Sequence, residues 1–347
     1  MTQFPEITIS GGPRARGRGY GEQLASEISG SIAYYRKIFN LTDSEILDLA
    51  RHFRGVIESF NADYLIEMDA MAEAAQVDPL WIVALNARTE ILSHGGLRDT
   101  PHLQATECTA LCFPASRTLG QTWDWGKPME ALTVCLRIEF EDGHVITTLS
   151  EAGIIGKIGM NNAGIGVCLN ILKTGDKLDG LPIHIVLRGI LECRTLDEAR
   201  ALIENNHKGK SSNALVADDK GNCLDAEFAG DELFILSPEE DVLVHTNHYR
   251  GSPINSRDDP IFNSSYARFD KTAERLNDLQ GKDIAAMKDI LSDRSNADYP
   301  IFRPYIPDPS VVELGTVFTI VMDLEGRKIH VRKGGDADSP FRIYKTA

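Results

Sequence analysis

The spacing of apolar residues predicts that roughly the first hundred residues are helical. Apolar side chains recur every fourth position in the middle of this stretch, at Val56, Phe60, Tyr64 and Met68. This spacing is typical of α-helices, which we expect to pack together. Asp78-Pro79 is typical of a helix start, with Asp as the N-cap and Pro in the first turn. Gly95-Gly96 is expected to end that helix near Ser93.

The pattern changes after residue 108, where short runs rich in β-branched and apolar residues predict strands. These runs cover residues 111–113, 132–140, 144–149, 164–172, 214–217, 233–236, 242–245, 317–323 and 328–332. Their close spacing and the intervening turns, such as Asp142-Gly143, favour antiparallel pairing. Helical patterns return at residues 182–206 and 263–292. Strand groups on either side of paired helices predict a layered α+β fold, not a doubly wound βαβ sheet.

Composition and charge narrow the possible partners. The chain has 347 residues, of which 42% are hydrophobic and 25% charged, as in ordinary globular proteins. The 36 basic and 51 acidic residues give a formal net charge of -15. Such a charge repels phosphate backbones and anionic lipids, so neither nucleic acid nor a membrane is an expected partner. A signal peptide and a membrane-spanning run are both missing from the sequence, which predicts a cytoplasmic protein.

No cofactor is predicted. The sequence contains neither GxGxxG nor GxxxxGK[ST], the glycine-rich loops that bind nucleotides. His245 and His248 have a spacing that suits a metal on a helix, but they lack an HExxH context or a cysteine pair. If residues 242–245 form a strand, the two histidines point to opposite faces, so we interpret them as structural residues.

A nucleophile is better sought among the cysteines than among the serines. The GxSxG elbow of α/β-hydrolases is absent, and a thiol needs less activation than a hydroxyl near neutral pH. Six scattered cysteines in a long chain do not suggest a disulfide framework. Cys108 lies where the helical opening ends and the strands begin. If the Glu107–Cys108 bond were cut, its thiol would lie beside a new α-amine suited to act as a general base.

Four segments in this order resemble the peptidase C45 family, typified by isopenicillin N acyltransferase, within the N-terminal nucleophile hydrolases. They are Cys108-Thr109, the GQTWDW stretch at 120–125, the IGMNNAGIGV stretch at 158–167 and the HTNH stretch at 245–248. The likeness extends from about residue 10 to residue 335. The ordered combination is more specific than any one of these segments alone.

This resemblance implies a four-layer αββα sandwich made as a precursor that cleaves itself between Glu107 and Cys108. Residues 1–107 would become a helical small subunit and residues 108–347 the catalytic segment, together forming one composite domain. In this family pattern Cys108 is the nucleophile, Asp124 orients the new amine, and Asn247 donates to the oxyanion. Arg303 resembles a late arginine that meets a substrate carboxylate or supports the site.

The expected function is therefore a self-activated cysteine amidohydrolase or acyltransferase acting on a small N-acyl amine, amino-acid or peptide conjugate. Its expected partners are that small substrate and the two processed subunits themselves, with a homo-oligomer left open. Two departures from the family matter: Glu107 replaces a glycine that would ease the acyl shift, and Thr122 stands where Asn is common.

Two other functions remain open. One is a catalytically silent member of the fold that acts as a binding or assembly protein, with Glu107 blocking cleavage. The other is an uncleaved cysteine hydrolase that uses His248 as its base.

Overall fold

The computed structural model describes residues 3–95, 108–254, 259, 262–305 and 313–346. Glu107, on one side of the expected cleavage point, lies outside the described residues. None of the helices within these ranges is long and apolar enough to cross a bilayer.

Residues 3–95 are mainly helical, as predicted, apart from one short strand. That strand is β1 (Glu6–Ser10), and the helices are α1 (Pro13–Ile38), α2 (Asp43–Phe60), α3 (Ala62–Ala75), α4 (Pro79–Asn86) and α5 (Arg88–His94). Asp78 caps α4 by accepting the Leu80 N–H, and Pro79 occupies the first turn, as predicted. The expected single helix ending near Ser93 is nevertheless broken at Ala87, whose φ and ψ are -107° and 22°.

Helices α1 and α3 pack closely because α1 presents two glycines to its partner. A Cβ at Gly17 would lie 1.9 Å from the Glu67 carbonyl oxygen, and one at Gly21 would lie 2.4 Å from the Met71 carbonyl oxygen. Any side chain there would separate the two helices, so glycine at these two positions sets the distance between them.

Two sheets form the centre of the molecule. The first contains β1 with β4 (Thr133–Glu139), β5 (Val145–Glu151), β6 (Ile158–Asn161), β7 (Gly166–Ile171), β8 (Lys210–Ala217), β9 (Cys223–Gly230) and β10 (Glu232–Leu236). The second contains β2 (Cys108–Phe113), β3 (Thr118–Gly126), β11 (Leu243–His245), β12 (Leu314–Asp323), β13 (Lys328–Lys333) and β14 (Arg342–Lys345). The strand orders are β1-β4-β5-β6-β7-β8-β9-β10 and β11-β2-β3-β12-β13-β14. Pairing is antiparallel, as predicted, except that β1 runs parallel to β4.

The remaining helices cover the outer faces of the sheets. They are α6 (Met129–Leu132), α7 (Ile183–Glu192), α8 (Leu196–Asn205), α9 (Asn263–Asn277) and α10 (Ile284–Ile290). Helices α7 and α8 contact the first sheet, α9 and α10 contact the second, and β2 and β3 face β7 between the sheets. The expected αββα sandwich is thus confirmed.

Alternation along β2 divides its side chains between two cores. Cys108, Ala110 and Cys112 are buried in the large core between the sheets, whereas Leu111 and Phe113 pack with α10 on the other side. A strand that is buried on both faces has this two-residue period and no polar face.

Residues 3–6 lie beside β14, at the edge of the second sheet. Glu6 forms a 3.0 Å ion pair with Arg342, and the Phe4 ring packs edge-on against Phe318 with their centroids 6.1 Å apart. Residues 3–10 therefore connect the edge strand β1 of the first sheet with the edge strand β14 of the second.

Candidate active site

Cys108 is the first residue of β2, and its side chain is buried between the two sheets with 3% of its surface exposed. Its backbone N–H donates a 2.8 Å hydrogen bond to Asn247 Oδ1. Sequence reasoning placed these two residues in one site, and the structure brings them into direct contact across a separation of 139 positions.

The carbonyl oxygen of Cys108 accepts hydrogen bonds from two side chains that sequence reasoning missed. Asn170 Nδ2 on β7 donates over 3.0 Å, and Arg268 on α9 donates over 2.6 Å. The same guanidinium reaches Thr109 Oγ1 and Asn247 Oδ1, each at 3.0 Å. Residues from both sheets and from the outer helical layer therefore fix the peptide plane that follows the thiol.

A signal for Arg268 exists in the sequence. Ser265, Arg268 and Thr272 are buried on one face of α9 at spacings of three and four residues. An inward face made of polar residues is unusual for a surface helix, because burying an arginine requires several hydrogen-bond partners. The partners of Arg268 come from distant positions in the sequence. The pattern therefore predicts a buried polar contact but not the residues that form it.

The HTNH segment holds Asn247 through the residues beside it. The Asn247 backbone N–H donates to Ser265 Oγ over 2.7 Å, and its Nδ2 donates to the Ile171 carbonyl over 3.0 Å. His248 Nδ1 lies 2.8 Å from the same Ser265 Oγ, and its ring stacks on Tyr266 with centroids 3.9 Å apart. His248 therefore supports the hydroxyl that fixes Asn247.

His245 lies on the other side of this segment, in a buried group of carboxylates. Its Nε2 is 2.8 Å from Glu227 Oε1 and 3.8 Å from Asp225 Oδ2. Burial lowers the pKa of His245, but the two carboxylates outweigh this effect and raise it above the ordinary value. Among the residues that the structure describes, no group of three or more His, Cys, Asp or Glu side chains is arranged to hold a metal ion.

Asp124 lies on β3, one residue beyond the position that pairs with Cys108. Its Oδ1 accepts a 2.7 Å hydrogen bond from Thr316 Oγ1 on β12. The β3–β12 register shifts between Thr316 and Phe318, so a bulge re-aims the chain next to the site. Arg303 reaches this place through its backbone, because its N–H donates to Thr316 Oγ1 over 2.9 Å.

Two further motif residues have structural tasks. Gln121 on β3 donates to the Leu169 carbonyl over 3.1 Å and accepts the Leu169 N–H over 2.7 Å, which fastens the two sheets together. Thr122, which departs from the family pattern, accepts the Thr109 N–H over 3.2 Å. The stretch at 120–125 thus aligns β2 with β7.

The surroundings of Cys108 favour the protonated form of its thiol. Burial raises the pKa of its thiol to about 12, and the Asp124 carboxylate adds to this rise. A hydrogen bond from the Asp124 backbone and the cations Arg268 and Lys157 act in the opposite direction. At neutral pH the thiol is therefore protonated, and a nucleophilic role needs a proton acceptor. All six cysteines fall within the described residues and are free thiols.

The αββα sandwich with a buried cysteine at the start of a strand is the fold of the N-terminal nucleophile hydrolases. The family model for acyl-coenzyme A:6-aminopenicillanic acid acyl-transferase matches residues 114–338, which is more than half of the chain. The chain belongs to this family, so it is an enzyme of acyl transfer or amide hydrolysis.

One curated relative matches nearly the whole length of the chain. The chain is 28% identical over 336 residues to the 40 kDa form of acyl-coenzyme A:6-aminopenicillanic-acid-acyltransferase of Emericella nidulans, covering 94% of this chain and 92% of that protein. Among solved structures, a mutant of the conjugated bile acid hydrolase from Clostridium perfringens has a TM-score of 0.45 and 12% identity, covering 69% of this chain and 92% of the other. Penicillin V acylase from Agrobacterium tumefaciens has a TM-score of 0.38 and 15% identity, covering 66% and 75%.

Proposed function

We propose that this protein is a self-processing acyltransferase or amide hydrolase that uses Cys108 as its nucleophile. One observation carries the proposal: both the N–H and the C=O of Cys108 are held by buried side chains, from Asn247, Asn170 and Arg268. A cysteine that only filled space in the core would not need three polar residues from three distant parts of the chain around its backbone.

Processing would begin when the Cys108 thiolate attacks the Glu107 carbonyl carbon. The peptide C–N bond breaks, a thioester joins Glu107 to Sγ, and the nitrogen leaves as the α-amine of Cys108. Water then hydrolyses the thioester, which releases a Glu107 carboxylate and restores the thiol. The segments 1–107 and 108–347 remain together in one composite domain, since both contribute to the large core.

In the processed enzyme the α-amine accepts the thiol proton, and Asn247 Oδ1 is already placed to hold that nitrogen. The thiolate attacks an acyl carbonyl, the amine or thiol leaving group departs with the proton, and an acyl-cysteine remains. An acceptor amine or water then attacks this thioester and frees Sγ. Asn247 Nδ2 would exchange its bond to the Ile171 carbonyl for the oxyanion, a contact worth about 2.7 to 4 kcal/mol in related chemistry.

Asp124 and Arg303 complete the proposed site. The Asp124 carboxylate, fixed by Thr316, orients the α-amine and tunes its basicity. Arg303, whose backbone bonds the same threonine, would direct its guanidinium to a substrate carboxylate. The relative from Emericella nidulans is named for an acyl-coenzyme A donor and 6-aminopenicillanic acid, so an acyl thioester and a small amine are the first substrates to test.

Intact-mass measurement of the purified chain tests the proposal. The wild type should yield fragments of about 12 kDa and about 26 kDa from the 38.3 kDa precursor, since processing divides it at residue 107. Cys108→Ala should remain whole and inactive. Cys112→Ala is the matched control, because Cys112 lies on the same face of β2 and is equally buried, yet it should process normally.

Other outcomes discriminate between the functions. A wild type that stays whole, shows no turnover and leaves Cys108 unlabelled by electrophiles would favour a silent binding protein. A whole chain that turns over substrate and loses activity in His248→Ala would favour an uncleaved cysteine hydrolase. Turnover that persists in Cys108→Ala would contradict the nucleophile itself. Product analysis with acyl-coenzyme A, with and without 6-aminopenicillanic acid, separates transfer from hydrolysis.

A further inference from the structure

The fully buried carboxylate of Glu151, at the end of β5, contacts three side chains. Two of them precede residue 108 in the sequence, and one follows it. Lys157 Nζ lies 2.8 Å from its Oε2, and Arg88 Nε lies 3.1 Å from its Oε1. The Tyr35 hydroxyl also donates to Oε1. Arg88 and Tyr35 belong to helices α5 and α1, so the helical opening supplies half of this group.

The group has a net positive charge when Arg88, Lys157 and Glu151 are ionised, since two cations share one anion and the Tyr35 hydroxyl stays neutral. Burial alone would raise the pKa of Glu151, but Arg88 and Lys157 lower it to about 2. Burial lowers the pKa of Lys157 to about 7, with Glu151 opposing that change. The neighbouring His184 adds no charge, because burial lowers its pKa well below the ordinary value. A negative charge beside this group would favour the ionised form of Lys157.

The two cations lie against the two tryptophans of β3. Lys157 Nζ is 3.1 Å from the centroid of the Trp123 ring, and Arg88 Cζ is 5.4 Å from that of Trp125. Trp123 is the residue paired with Cys108 in the β2–β3 ladder. Side chains of directly paired residues lie on the same face of a sheet. Lys157 therefore lies on the side of the β2–β3 ladder that carries the thiol, and the two groups attract each other electrostatically.

The other ionisable groups around this thiol come from three different elements. Asp124 on β3 opposes a negative charge at Cys108, whereas Arg268 on α9 favours it. Cys168 on β7 also interacts with Cys108, and burial keeps the pKa of Cys168 well above its ordinary value. Asp124 and Arg268 act in opposite directions, which leaves Lys157 as the additional cation.

We propose that Lys157 stabilises the thiolate of Cys108, and that Arg88 and Tyr35 hold Glu151 so that Glu151 holds Lys157 there. The proposal rests on Cys108 being the nucleophile of the proposed function. Lys157 is a positioning residue that acts through Cys108, and its anchor comes from the segment that precedes the cleavage point. The helical opening thereby has a chemical task as well as a packing one.

The rate of Cys108 alkylation by iodoacetamide, followed against pH and located by peptide mass mapping, tests this assignment. All variants are compared in the same state of the chain, either whole or processed, as checked by intact mass. Below the thiol pKa the rate follows the thiolate fraction, so a shift of about one pH unit changes it about tenfold. Lys157→Gln should slow alkylation at pH 6, where Lys157 is ionised, by about that factor, because Gln keeps a donor for Glu151 and removes the charge. Lys157→Arg should stay within about threefold of the wild type, because it keeps the charge.

Lys210→Gln is the matched control for removing a buried lysine. Burial lowers the pKa of Lys210 to about 8, and its partner is Glu90 rather than Cys108. This variant should alkylate like the wild type even if its melting temperature falls. Equal rates for Lys157→Gln and the wild type, or equal slowing in Lys157→Gln and Lys210→Gln, would overturn the proposal. Alkylation needs no substrate, so a failure of the proposed function appears separately, as turnover retained in Cys108→Ala.

Discussion

Replacing Glu67 should expose how strongly buried ion pairs bind the helical opening to the rest of the molecule. Glu67 on α3 is fully buried and accepts from two arginines on different helices. Arg16 Nε on α1 donates over 2.9 Å, and both terminal nitrogens of Arg188 on α7 donate over 3.0 Å. Glu67→Gln keeps the shape of the side chain and removes the charge that both guanidiniums face.

The magnitude follows from what each arginine retains. Breaking a buried pair by removing one partner costs about 3 to 5 kcal/mol, because a charge is left uncompensated. Arg188 still has Glu192 at 2.6 Å and the Ile155 carbonyl at 2.7 Å, and Arg16 still has the Gly11 carbonyl at 2.7 Å. These contacts place the loss near the lower limit, at about 3 kcal/mol. In a protein of 347 residues that lowers the melting temperature by about 4 °C.

Thermal and urea unfolding, followed by far-ultraviolet circular dichroism, measure this loss. The matched control is Glu73→Gln on the same helix α3, since the 3.4 Å pair between Glu73 and Arg14 is largely exposed. That substitution should change the melting temperature by less than about 1 °C. If Glu67→Gln is no less stable than Glu73→Gln, the buried pairs do not stabilise the contact between the two parts of the chain, and the reasoning fails.

Three further substitutions test other features. Burial raises the pKa of Glu90 to about 7, so the folded state binds more protons than the unfolded state between about pH 4.5 and pH 7, and stability should fall as pH rises through that range. Urea titrations at pH 5 and pH 8 measure this fall in the free energy of unfolding. Glu90→Gln, which can still accept the Ile183 N–H, should make the fall about 2 kcal/mol smaller. An unchanged fall would refute the assignment. Arg268→Lys should reduce processing more than tenfold in a mass-spectrometric time course, because one ammonium cannot serve three acceptors in fixed directions; wild-type rates would contradict this. Gly159→Ala should lower the yield of folded protein and its melting temperature, since the new Cβ would lie 2.2 Å from the Thr147 carbonyl oxygen, and an unaltered melting curve would show that β6 can shift.

Local sequence patterns predicted which layers are helical and which are sheets. They did not predict every helix and strand. Helix α2 follows from apolar spacing and a capping box of Thr42 and Glu45, both of which are local. Strand β1 was missed although its residues alternate between exposed and buried, because a five-residue strand is stable only through its parallel partner β4, more than a hundred positions away. The break at Ala87 was missed for a similar reason. Arg88 is turned inward to Glu151, and a contact made by tertiary structure overrides a continuous helical pattern.

The residues of the candidate site divide in the same way: motifs predicted some of them, and only the fold brings the others together. Cys108 and Asn247 were predicted together from ordered motifs, and they are in contact. Asp124 was predicted from the same motifs, and its contact with the Cys108 amine remains a prediction. Asn170 and Arg268 were not predicted, because their importance comes from one shared acceptor, the Cys108 carbonyl oxygen, that no local spacing encodes.

The contact between Glu6 and Arg342 has a consequence for how the enzyme can be rebuilt. Because residues 3–6 lie beside strand β14, a short linker between the two would allow a circularly permuted gene. Such a chain could be opened between residues 107 and 108, so that translation itself, after removal of the initiator methionine, produces Cys108 with a free α-amine. The helical opening would then follow residues 108–347, and the proposed cleavage after Glu107 would no longer be needed.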